Sequence, residues 1–144
     1  MRKSFLEMDS SSDEECCKSL NIFVIGDAKV GKTSLIHRIA TNEFTLLYTK
    51  TEALTIYHDI ILGSTNATFF DIPSCVSSRY DYIHIKPDVV LATFCSEHTY
   101  QVLWSILEKI IKNSVAELWF VHTFQDTKKV DLKCNPKRLF FREF

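Results

Sequence analysis

A chain of 144 residues suggests one domain and can bury a sizeable core. With 46% apolar and 12% aromatic residues it is too hydrophobic to stay disordered over most of its length, and a net charge of -1 excludes a general electrostatic pull toward nucleic acid or an anionic membrane. The cysteines (Cys16, Cys17, Cys75, Cys95 and Cys134) are odd in number, and their spacing fits neither a zinc site nor a disulfide framework, which points to a reducing, cytoplasmic setting.

Residues 1–19 contain MDSSSDEECCKS, a polar, acidic stretch expected to form a disordered arm. Ser10, Ser11 and Ser12 precede Asp13, Glu14 and Glu15 and are open to phosphorylation, although the composition favours a plain solubilising tail. One folded domain is expected over residues 20–144. No apolar run reaches transmembrane length, and the first residues lack the apolar centre of a secretion signal.

LNIFVI (Leu20–Ile25) is a short β-rich run of the kind buried on both faces of a parallel sheet. KTSLIHRIA (Lys32–Ala40) places Leu35, Ile36 and Ile39 at helical spacing. TIYHDIIL (Thr55–Leu62) and ATFFDI (Ala67–Ile72) flank the turn residues GSTN and predict an antiparallel hairpin. DVVLATFC (Asp88–Cys95) predicts another buried strand. TYQVLWSILEKIIK (Thr99–Lys112) predicts a helix with Tyr100, Leu103, Leu107 and Ile110 on one face, and ELWFVHTF (Glu117–Phe124) predicts the last strand. The order β-α-β-β-β-α-β predicts an α/β fold with helices on both faces of a mostly parallel sheet and one antiparallel edge strand.

The chain has only three glycines, and two of them fall in GDAKVGKT (Gly26–Thr33). This is the pattern G-x-x-x-x-G-K-[ST], with a strand entering and a helix leaving, the context a phosphate-binding loop requires. Gly26 and Gly31 let the chain curl so that consecutive N–H groups, those of Asp27, Ala28, Lys29 and Val30 among them, face inward. The helix N-terminus around Ser34 adds partial positive charge. Lys32 is then placed for the β- and γ-phosphates, and Thr33 for Mg²⁺. The loop speaks for a nucleoside triphosphate without naming the base.

Order and spacing together resemble a small GTPase of the Ras superfamily, with the Rab branch nearest, over Leu20–Asp126. The resemblance implies a phosphate-loop NTPase sheet, Mg²⁺ and GTP or GDP as ligands, and a role as a switch in vesicle traffic or signalling. YTKTEALTIY (Tyr48–Tyr57) resembles the first switch, making Thr51 the residue that senses Mg²⁺ and the γ-phosphate; the bare residues read equally as a polar surface loop. FDIPSC (Phe70–Cys75) stands where the family has a WDTAGQ-type segment. Asp71 is kept and implied to hold Mg²⁺ through water, so the implied metal set is Thr33, Thr51 and Asp71. Ser74 replaces the glycine whose N–H meets the γ-phosphate, and Cys75 replaces the glutamine that orients the attacking water. Cysteine is shorter and a poor donor, so hydrolysis is expected to be slow or absent.

TFQD (Thr123–Asp126) stands where the family has N-K-x-D. Asp126 is implied to read the guanine edge, with Thr123 supplying part of what an asparagine would. Phe124 either stacks on the base or joins the core. The family continues with a further strand and helix, and this chain is expected to lack the final strand and helix. Effectors or exchange factors are expected on residues 44–58 and 71–86. The ending REF offers no prenyl anchor, so membrane contact is expected to be peripheral at most. Two other readings stay open: a pseudo-GTPase interaction module with no nucleotide cycle, and a phosphate-loop nucleotide kinase or ATPase. The latter usually needs an arginine-rich lid, which the sparse basic residues after the loop do not suggest.

Overall fold

A computed structural model describes residues 19–43, 51–74, 84–111 and 115–123, with the side chains of 109–111 outside the description. The elements run β1 (Leu20–Gly26), α1 (Lys32–Thr41), β2 (Thr55–Leu62), β3 (Thr65–Asp71), β4 (Val89–Phe94), α2 (Glu97–Ile111) and β5 (Glu117–His122). The strands form one five-stranded sheet in the order β2-β3-β1-β4-β5. β1 pairs in parallel with β3 and with β4, β4 pairs in parallel with β5, and β2 alone is antiparallel, at the edge beside β3. The expected α/β order therefore holds as a mostly parallel sheet with two helices.

Alternation along the strands divides the core into two layers. Phe23, Ile25, Phe70, Ala92, Phe94 and Phe120 pack with Tyr100, Leu103, Ile106 and Leu107 of α2. On the opposite face Ile22, Val24, Ala67 and Phe69 pack with Leu35 and Ile36 of α1. Central strands buried on both faces explain the near-continuous apolar runs of β1 and β4. Ile110 was expected on the buried stripe of α2, but its side chain lies outside the described residues.

Most boundaries shift by one or two residues from the expected ones, and two of the shifts have a clear local reason. The hairpin turn is Gly63–Ser64 rather than four residues, because Gly63 takes φ 63°, the positive value a two-residue turn needs at its first position. Helix α2 starts at Glu97, ahead of the expected Thr99. Ser96 Oγ accepts the Thr99 N–H at 3.2 Å while Thr99 Oγ1 accepts the Ser96 N–H at 2.9 Å, a capping box with threonine in the usual acid position.

The edge strand carries a bulge. Tyr57 pairs with Phe69 and Ile60 with Ala67, so two residues of β2 oppose one of β3, and Asp59 takes φ 57° there. The extra residue returns Ile60 to the α1 face on which Tyr57 already packs. Among the described residues no helix is long and apolar enough to cross a membrane.

Candidate functional site

The carboxyl ends of the four parallel strands converge at one edge of the sheet: Gly26 from β1, Asp71 from β3, Phe94 from β4, and Thr123 just beyond β5. The order of connection reverses about β1, and in open α/β sheets ligands sit at such a reversal, outside the carboxyl ends. The loop from Gly26 to Lys32 lies there.

Its shape rests on three positive φ values: 153° at Gly26, 62° at Lys29 and 89° at Gly31. At Gly26 any larger residue collides, since an added Cβ would lie 2.3 Å from the Thr93 carbonyl oxygen and 2.9 Å from Val30 Cγ2. Val30 is fully buried and pins the loop to the sheet. Asp27 Oδ1 accepts the Ala28 N–H at 2.8 Å and stiffens the first turn. Ala28 and Lys29 form the exposed crest, and Ser34 is half-buried in α1. Gly31 is the N-cap of α1, with no side-chain cap and no acidic residue in the first turn. The first N–H groups of the helix, with the positive end of its dipole, are therefore not neutralised by a side chain of their own helix.

Lys32 is buried and folds back over the loop, its Nζ donating to the Gly26 carbonyl at 3.1 Å and the Asp27 carbonyl at 2.9 Å. These bonds fix an ammonium group above the curled backbone. Next to it lies a cluster of oxygens. Thr33 Oγ1 donates to Asp71 Oδ2 at 2.5 Å, Thr51 Oγ1 donates to the same oxygen at 3.3 Å, and the two hydroxyls are 2.8 Å apart. Asp71 is fully buried, and its Oδ1 has no hydrogen-bond partner among the described residues. A buried carboxylate oxygen without a partner is costly. One carboxylate with two hydroxyls is the hard, oxygen-only donor set that suits Mg²⁺. Among the described residues no three His, Cys, Asp or Glu side chains converge. The residues present thus fit a magnesium ion at the Asp71 cluster.

The sequence did not point to Tyr57, which packs on the α1 face near Asp71, its ring edge-on to that of His37 with centroids 5.8 Å apart. Burial, reinforced by the Asp71 charge, pushes its phenol above the ordinary tyrosine value. The signal was the hairpin register, which sets Thr55 opposite Asp71 and Tyr57 on the same face.

Thr123 is drawn to the loop: its Oγ1 donates to the Val30 carbonyl at 2.6 Å and lies 3.1 Å from the Phe94 carbonyl. Ser74 follows the end of β3 and is half-buried. Of the residues expected at the site, Gly26 to Ser34, Thr51, Asp71 and Thr123 gather around the loop; Tyr48, Cys75, Phe124 and Asp126 lie outside the described residues. No protein-family model matches the chain, and comparison with curated proteins gave no match.

Proposed function

We propose that this chain is a phosphate-loop nucleotide-binding protein, a divergent relative of the small GTPases that binds a guanine nucleoside di- or triphosphate with Mg²⁺. The observation that carries the reading is the pairing of two groups beside one loop: the Lys32 ammonium held by the loop carbonyls, and, from the end of β3, the buried Asp71 carboxylate with an oxygen unpartnered among the described residues, next to two hydroxyls. Phosphate oxygens would accept from N–H groups of the loop, apart from that of Ala28, which Asp27 holds, and from Lys32. Thr33, Thr51 and Asp71 would hold Mg²⁺, which when bound neutralises charge on the β- and γ-phosphates. The preference for guanine rests on Asp126 and the family resemblance.

Turnover is proposed to be slow or absent, because Ser74 and Cys75 stand where the family places the glycine and glutamine that serve hydrolysis. The protein would then act by presenting residues 44–58 and 71–86 to effectors or exchange factors, in traffic or signalling. The Ser74–Cys75 replacement equally favours a pseudo-GTPase, which keeps one conformation whatever the nucleotide.

Calorimetric titration of nucleotide-stripped protein with GTP, GDP and ATP in Mg²⁺, beside Lys32→Ala, tests the reading. Guanine-selective binding that is lost in the variant supports it. Absence of binding to all three nucleotides would make the loop a structural remnant. Comparing protease sensitivity of residues 44–58 in GDP and in a non-hydrolysable GTP analogue separates a switch from the static module.

A further inference from the structure

We infer that Thr123 is a positioning residue for the phosphate-facing loop and contributes no donor to the base; this rests on the nucleotide-binding reading above. A threonine hydroxyl has one proton to donate. Two carbonyls lie within reach, Val30 at 2.6 Å and Phe94 at 3.1 Å. The Phe94 carbonyl already accepts the N–H of Thr123 itself at 2.9 Å. The Val30 carbonyl, 0.5 Å nearer, takes the proton, and none remains for a base.

What that bond fixes is the peptide between Val30 and Gly31. A trans peptide is planar, with its C=O and N–H pointing to opposite sides. Holding the Val30 carbonyl against Thr123 turns the Gly31 N–H away from β5. Gly31 sits at φ 89° and is the N-cap of α1, so without a restraint this peptide is among the freest in the loop. The restraint itself is rigid. Threonine is stiff at χ1, and the strand that presents it is clamped by His122, whose ring lies parallel to that of Phe94, 3° from coplanar with centroids 5.0 Å apart. Thr123 thus links the end of β5 to an N–H that a phosphate oxygen would meet.

The test compares wild type, Thr123→Ser and Thr123→Val with three magnesium-loaded probes: inorganic triphosphate, GTP and ATP. Loss of one hydrogen bond to a buried carbonyl predicts that Thr123→Val weakens all three by a similar factor, about tenfold, leaving the ratio of GTP to ATP affinity unchanged. Thr123→Ser, which keeps the hydroxyl, restores binding. Weakening of GTP alone, with triphosphate unaffected, overturns the inference, as does a serine variant no better than the valine one.

Amide hydrogen exchange of residues 26–33 without any ligand supplies an independent arm. Faster exchange there in the valine variant, with β1 and β4 unchanged, is expected; unchanged exchange overturns the tether. If wild type binds no probe, the nucleotide reading fails, and exchange alone decides whether Thr123 positions the loop.

Discussion

Thr33 Oγ1 donates to Asp71 Oδ2 across 2.5 Å, joining the first turn of α1 to the end of β3. Its neighbour Lys32 turns the other way, onto the carbonyls of Gly26 and Asp27. Consecutive residues of a helix project roughly 100° apart, so one Lys-Thr step places a cation on one side of the loop and oxygen ligands on the other. That division suits a ligand carrying both phosphate charge and a bound divalent ion. Asp71 is buried with one oxygen unpartnered among the described residues, and the proposed magnesium ion would compensate it.

Asp71→Asn tests that compensation. The amide keeps the volume and one acceptor but loses the charge. Groups that hold a metal through water typically contribute tenfold to a hundredfold to metal affinity. The variant should therefore lose most of the magnesium-dependent part of nucleotide binding while retaining a weaker, magnesium-independent part through the loop and Lys32. Titrations with Mg²⁺ and with EDTA check this; equal magnesium dependence in both proteins would remove Asp71 from the metal site.

Gly26→Ala should destabilise the fold strongly, and Gly63→Ala only mildly. At Gly26 the new methyl meets the Thr93 carbonyl oxygen at 2.3 Å and φ is 153°, a region in which side chains are strained. Both the backbone and the clash must be relieved, at about 3 kcal/mol or more. At Gly63 φ is 63° but nothing lies within 4 Å of the added carbon, so the cost is that of a left-handed alanine, about 1 kcal/mol. Denaturant unfolding of the two variants side by side gives the comparison.

The fold was legible because its signals are local. The apolar runs of β1 and β4, the spacing of Leu35 and Ile36, and the glycine-lysine loop each follow from a few adjacent residues. What escaped depended on register or on distant partners. The bulge at Asp59 brings Tyr57 and Ile60 to one face, which strict alternation would not. The Thr123 hydroxyl finds Val30, 93 positions away in sequence. A single threonine carries no mark of that partner; only the closing of β5 against β4 supplies it.

The start of α2 was missed for a chemical reason that can be tested. Thr99 occupies the position where a capping box usually carries Glu or Gln, so the signature was hidden. Its hydroxyl also accepts the Cys95 N–H at 3.0 Å, making it the centre of the turn. Thr99 is buried as well. Ser96→Ala should lower stability by about 1 kcal/mol, and Thr99→Ala should cost more, because it strands the N–H groups of both Cys95 and Ser96. A loss in Thr99→Ala close to zero would show that only the Ser96 cap contributes.

His122 gives the protein a predictable response to acid. Burial holds its imidazole below the ordinary value of 6.5, while a hydrogen bond to the Cys95 backbone opposes this in part. Its Nε2 is buried without a partner among the described residues, and its ring lies against Phe94. The unfolded chain therefore takes up a proton near pH 6.5, before the folded one does. Where the unfolded state binds more protons, stability rises with pH. The contribution of neutral His122 is thus fully present above pH 6.5 and is lost as pH falls through the lower folded value. His122→Phe keeps the stack and removes the titration. The difference in unfolding free energy between wild type and this variant should be flat above pH 6.5 and turn against the wild type below it. A difference that moves in favour of the wild type in acid would mean that the Cys95 hydrogen bond outweighs burial and that the folded protein prefers the imidazolium.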